Sequence, residues 1–134
     1  NNDKILILDL LTLMHEKKAD YTNTFCHLMG ANSKKDIIFE DKYFINWKKR
    51  WKERLLKNSN LPDKCINLMR NSNPLVIPRN HKVEEALEAA EQNNMKPINK
   101  ILEILNKPYT EQKNLVDYQS PSTTSEKYQT FCGT

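Results

Sequence analysis

Glycine is nearly absent, with two residues in a chain of 134 against a usual share of roughly 7 %. That scarcity excludes glycine-rich phosphate loops and dinucleotide fingerprints, and it argues against β-hairpins and barrels. Helices, which need little glycine, are what remains. No run of about 18 apolar residues occurs, so no membrane span is expected. The opening Asn-Asn-Asp-Lys and the apolar run behind it lack a small-residue cleavage site, so no secretory leader is expected. Sequons of the form Asn-x-Ser/Thr are missing too. Cysteine is sparse and odd in number, at positions 26, 65 and 132. Without metal-ligand spacing or an even count, this set fits free thiols in a cytoplasmic protein better than a disulfide framework.

What is present is charge and helical periodicity. Charged residues make up 28 % and hydrophobic ones 38 % of the chain, for a net charge of +4. The basic excess lies in residues 1–80, while the remainder is slightly acidic, which suggests a basic face or two halves that attract each other. The length suits one domain with a modest core.

Residues 4–17 are apolar around most of the helix girth (Ile5, Leu6, Leu8, Leu10, Leu11, Leu13, Met14), with Asp3 as a cap candidate. Such a helix is either buried on several sides or has lost one of its contacts. His15 behind it reads as a surface residue. Asp20 is the expected N-cap of a second helix carrying Tyr21, Phe25, Leu28 and Met29, with Gly30 closing it. The adjacent Cys26 and His27 have no second pair at chelating distance. A third helix is expected over residues 40–57, where Phe44, Trp47, Trp51 and Leu55 form one stripe. Lys48, Lys49, Arg50, Lys52, Arg54 and Lys57 lie beside it. These residues have two readings: an amphipathic helix with core tryptophans and solvated cations, or a basic patch (Lys48, Lys49, Lys52) for nucleic acid. The stripe favours the first.

Pro62 and Asp63 open a short helix to about residue 71, with Ile66 and Met69 inward and Cys65 as a small buried side chain. Residues 81–92 are expected to bury Val83, Ala86, Leu87 and Ala90. Their acidic row (Glu84, Glu85, Glu88, Glu91) is most simply a solvated face, not paired acid–base machinery. Pro97 starts a last helix with Ile98, Ile101, Leu102 and Leu105 as its seam, ended by Lys107-Pro108; with its predecessor it forms an αα-hairpin. Periodicity is lost from Tyr109, and Tyr109, Leu115, Val116, Tyr118, Tyr128 and Phe131 read as scattered anchors of an extended segment. The expected fold is all-α, with about six helices in an irregular bundle around one core. A helical domain over 1–108 is followed by an extended tail over 109–134 that ends in a cysteine.

One stretch interrupts the helices. In Asn73-Pro74-Leu75-Val76-Ile77-Pro78-Arg79-Asn80-His81 two prolines bracket an apolar trio, and each drives the residue before it into extended backbone. Asn80 is the N-cap candidate for the next helix. Arg79 stands where a guanidinium can grip carbonyls or a carboxylate. This stretch through Glu84-Glu85-Ala86, with Lys107-Pro108-Tyr109 and the ending Phe131-Cys132-Gly133-Thr134, resembles the C-terminal region of the selenoprotein O family. Asp20-Tyr21-Thr22 with Phe25, and Trp47 with Arg54-Leu55, extend the resemblance upstream.

That family is similar to protein kinases in fold and transfers AMP from ATP to hydroxyl groups of proteins. The resemblance implies that the catalytic domain lies upstream, outside these residues, and that it holds ATP and magnesium or manganese. This chain would itself be non-catalytic, carry no cofactor, and pack on that kinase-like domain, with Asn73, Arg79 and Asn80 as possible contacts. Protein substrates are then the parent's partners, and neither nucleic acid nor membrane is expected. Cys132 occupies the place of the selenocysteine in animal members. The resemblance implies a redox-responsive thiol there, able to pair with a cysteine of the catalytic domain, whereas its sequence alone fits an inert, exposed tail cysteine. The rival classes are a stand-alone helical interaction module and a basic nucleic-acid binder.

Overall fold

A computed structural model describes residues 2–58 and 62–122, with Asn58 and Pro62 described in their backbone alone; Tyr128, Phe131 and Cys132 lie outside the described residues. Among the described residues there are seven α-helices: α1 Asn2–Glu16, α2 Tyr21–Leu28, α3 Lys42–Asn58, α4 Pro62–Ser72, α5 Asn80–Glu91, α6 Lys96–Leu105 and α7 Leu115–Gln119, with a 3-10 turn over Ile37–Glu40 before α3. There is no strand among the described residues, and no helix is long and apolar enough to cross a membrane. The fold is all-α.

The glycine shortage is met by an economical way of ending helices. Gly30 adopts φ 68° after α2, where its N–H donates to the His27 carbonyl and the N–H of Ala31 donates to that of Cys26. This is the Schellman arrangement, which satisfies the last carbonyls of a helix. The same pair of bonds closes α1 around Lys18 (φ 52°) and α5 around Asn93 (φ 60°). Only one of the three positions is glycine. The residues that follow the first two turns, Ala19 and Ala31, fold back onto the apolar interior.

α2 starts as its sequence predicts. The Asp20 carboxylate accepts the Asn23 N–H at 2.9 Å, and the Thr24 hydroxyl donates to the Asp20 carbonyl at 2.7 Å. Two other caps differ from expectation. Asp3 lies inside the first turn of α1, and its carboxylate accepts from Nε and one terminal nitrogen of the Arg54 guanidinium. Asn80 is the first residue of α5; Arg79 holds the cap position with extended backbone and no side-chain cap bond.

The interior is two clusters, where one core was expected. The first packs Leu6, Leu10, Leu13 and Met14 of α1 against Leu28, Ile38, Phe44 and Trp47. The second gathers Cys26, Met29, Leu75, Val76, Ile104 and Leu115. α2 is eight residues long and presents Leu28 to one cluster and Cys26 to the other, while Met69 of α4 packs against both. An aromatic ladder runs through the first cluster: His27 stacks on Phe39 at 3.9 Å, and Phe39, Phe44, Trp47 and Trp51 follow at spacings near 6 Å. The Trp47 indole N–H donates to the Leu6 carbonyl at 2.8 Å, which gives the buried ring its polar partner.

The α5–α6 hairpin forms, but its seam is narrower than its apolar stripe. Ala86 and Ile104 are buried, whereas Leu87 and Leu102 face outward. The second cluster takes Ile104 from this pair; Leu102, two positions away, points to nearly the opposite side, and Leu87 lies about 100° from Ala86. Cys65 is half-buried instead of fully buried. The segment after Pro108 is more structured than its lost periodicity suggested, because α7 forms there and buries Leu115 and Gln119. Five residues are too few to show a helical period.

Candidate functional site

The Pro-bracketed connector runs from α4 to α5 and feeds the second cluster. Asn73 caps α4 from behind, its backbone N–H and side-chain amide both donating to the Met69 carbonyl. Leu75 and Val76 then enter the second cluster, and the Leu75 N–H donates to the Pro108 carbonyl at 2.7 Å. Pro78 keeps the chain extended up to Arg79, and this aims the guanidinium inward.

Arg79 grips as its position suggested. Its two terminal nitrogens donate to the two oxygens of Asp20 at 2.6 and 2.8 Å, and one also donates to the Gln119 carbonyl at 3.0 Å. Both side chains of the pair are 12 % exposed. Burial pushes the Asp20 carboxyl up, but the Arg79 hydrogen bonds, the Asn23 amide and the Arg79 charge outweigh it and hold the group below its usual 3.8. Around this fork the Asn23 side-chain amide donates to the Gln119 carbonyl, and the Gln119 side-chain amide donates to the carbonyls of Leu75 and Asn32. One polar cluster therefore ties the start of α2, the connector and the end of α7. The sequence led to Asp20 only as a cap, and Gln119 lies in the segment where helical periodicity is lost. The one signal for the cluster was the guanidinium placed behind Pro78.

The remaining site residues are spread out. Asn80 is exposed at the start of α5. Lys49 and Lys52 are exposed on α3, but Lys48 lies half-buried with its ammonium 2.8 Å from Nε2 of His27. Burial and the neighbouring Lys48 charge hold His27 below its ordinary value, and burial with the Lys52 charge lowers Lys48. Phe44 and Trp47 are buried, so the rings that would stack on bases are inside. The tryptophan stripe of α3 is therefore core, as its spacing predicts. No group of three His, Cys, Asp or Glu side chains suited to a metal gathers among the described residues. Cys26 is fully buried, and burial, with the charges of Asp20 and Glu111, pushes its thiol up to about 11.

What fold and cluster define is a helical module whose strongest polar contacts hold its own parts together. A family model described as Protein adenylyltransferase SelO matches residues 1–106. The chain is 47 % identical over 133 residues to Protein nucleotidyltransferase YdiU of Pelagibacter ubique (strain HTCC1062), a match covering 98 % of this chain and 28 % of that protein. The proteins of the same name from Alcanivorax borkumensis and Clostridium botulinum (strain 657 / Type Ba4) are 45 % and 46 % identical, again over 98 % of this chain and 28 % and 27 % of their own lengths. The chain belongs to the SelO protein adenylyltransferase family, and it spans a little over a quarter of the relatives it matches.

Proposed function

We propose that this chain is the C-terminal helical portion of a protein adenylyltransferase and is itself non-catalytic. In the parent, a Ser, Thr or Tyr hydroxyl of a protein substrate attacks the α-phosphorus of ATP, AMP is transferred and pyrophosphate leaves. ATP and its magnesium or manganese ion are assigned to the kinase-like domain outside this chain. The charged groups at the heart of the present domain, Asp20 and Arg79, already neutralise each other. One observation carries this reading: almost the whole chain aligns with about a quarter of proteins named nucleotidyltransferases.

The helical body over residues 1–108 leans on the catalytic domain, and residues 109–134 leave it as a tail anchored through α7. Asn80 is the connector residue turned outward and available for that contact; Arg79 and Asn73 support the connector from within. Cys132 is the redox-responsive thiol of the tail, in a cytoplasmic setting. The deep burial of Cys26 supports this by removing one of the three thiols from competition. The test is AMP transfer from labelled ATP to protein, measured on the longer polypeptide that contains this sequence and on the 134-residue chain. Transfer by the first and none by the second is expected. Activity of the short chain alone, or an inactive parent, defeats the proposal.

A further inference from the structure

α1 is apolar on both sides, and only one side is covered. Leu6, Leu10, Leu13 and Met14 enter the first cluster. On the far side Ile5, Ile7, Leu8 and Leu11 are 53, 59, 51 and 41 % exposed. At 100° per residue Ile5, Leu8 and Leu11 fall on the outward half of the helix, with Ile7 at its edge beside Met14; an ordinary amphipathic helix carries charge there. The acids that flank α1, Asp3 and Asp9, are engaged by Arg54 and Arg50 of α3 and do not screen this face. A contiguous aliphatic patch of this kind marks an interaction surface.

We propose that the outward face of α1 is the seat of the preceding part of the parent polypeptide; this rests on the reading above that the chain belongs to a longer protein. The larger part of each relative lies outside the matched region. A covalently attached partner sits at high effective concentration, so even a modest apolar face suffices to hold it. The connector is the poorer seat, because its guanidinium is turned inward onto Asp20. Lys4 and His15 share the outward side of α1, so the receiving groove is apolar with an acceptor at its rim.

Leu8→Cys is the probe, in a background carrying Cys65→Ser and Cys132→Ser, since Cys26 is buried. Leu8 is half exposed, so the change leaves the core intact. Labelling by a small thiol reagent is compared between the 134-residue chain and the parent polypeptide, with Lys49→Cys as an exposed control on α3. The Leu8 position should label at least ~10-fold more slowly in the parent, with the control equal in both. Equal labelling of Leu8→Cys in both overturns the proposal. Protection that appears in the short chain and grows with its concentration assigns the face to a second copy, and overturns it too. AMP transfer by the parent, assayed separately, shows whether the functional reading stands when this surface does not.

Discussion

Replacing Arg79 with methionine tests how strongly the start of α2, the connector and α7 are tied together. The substitution keeps the aliphatic stem and removes a fork that makes bonds of 2.6 and 2.8 Å to Asp20 and one of 3.0 Å to the Gln119 carbonyl. Asp20 is then left 12 % exposed with an uncompensated charge. Breaking such a pair from one side costs about 3–5 kcal/mol. The carboxylate keeps the Asn23 amide and some solvent contact, which places the expected loss near ~3 kcal/mol, or roughly 10 °C in Tm for a chain of this size. Asp20→Asn preserves the cap and removes the charge, so alone it should cost about 2 kcal/mol, and the double variant should lose clearly less than the sum. Because the folded Asp20 carboxyl lies below 3.8, the pair's contribution is fully present above that pH and is lost as pH falls below it. Asp20→Asn should flatten this acid limb. Denaturant unfolding from pH 7 down to pH 2 measures all of it. An Arg79→Met loss under ~0.5 kcal/mol, or additive single variants, would refute the reasoning.

Three further outcomes follow from the geometry. Trp47→Phe removes the bond to the Leu6 carbonyl and part of the ring volume, and should cost about 2 kcal/mol in chemical denaturation. His27 is held below 6.5 in the folded state, so its contribution is present above pH 6.5 and declines as pH falls through the lowered value; His27→Phe should remove that slope from the stability profile. In native thiol labelling read by mass spectrometry, Cys26 should react on the order of 100-fold more slowly than an unshifted exposed thiol, and Cys132 fastest of the three. Labelling of Cys132 no faster than Cys65 would count against the redox role proposed for it.

The parts of the fold that depend on neighbours in sequence were legible. Asp20 and Gly30 marked the ends of α2, the tryptophan stripe marked the buried side of α3, and the prolines marked the connector. The parts that depend on distant neighbours were not. Asp20 and Arg79 are 59 residues apart, and no local pattern pairs them. Gln119 sits in α7, a helix too short to show a period, although its amide reaches the Leu75 and Asn32 carbonyls across the fold. Lys18 and Asn93 end helices in the left-handed conformation usually given to glycine, because two flanking hydrogen bonds hold each turn. Leu87 and Leu102 are apolar at helical spacing yet uncovered, since a stripe shows what a helix is able to bury but not how much of it finds a partner.

On the proposed function these helices support a nucleotide-handling body and do no nucleotide chemistry themselves. Thermal unfolding with increasing ATP and magnesium measures this directly, on the 134-residue chain beside the parent polypeptide. A saturable rise in Tm for the parent with none for the short chain is the predicted result. A saturable rise in the short chain would contradict it.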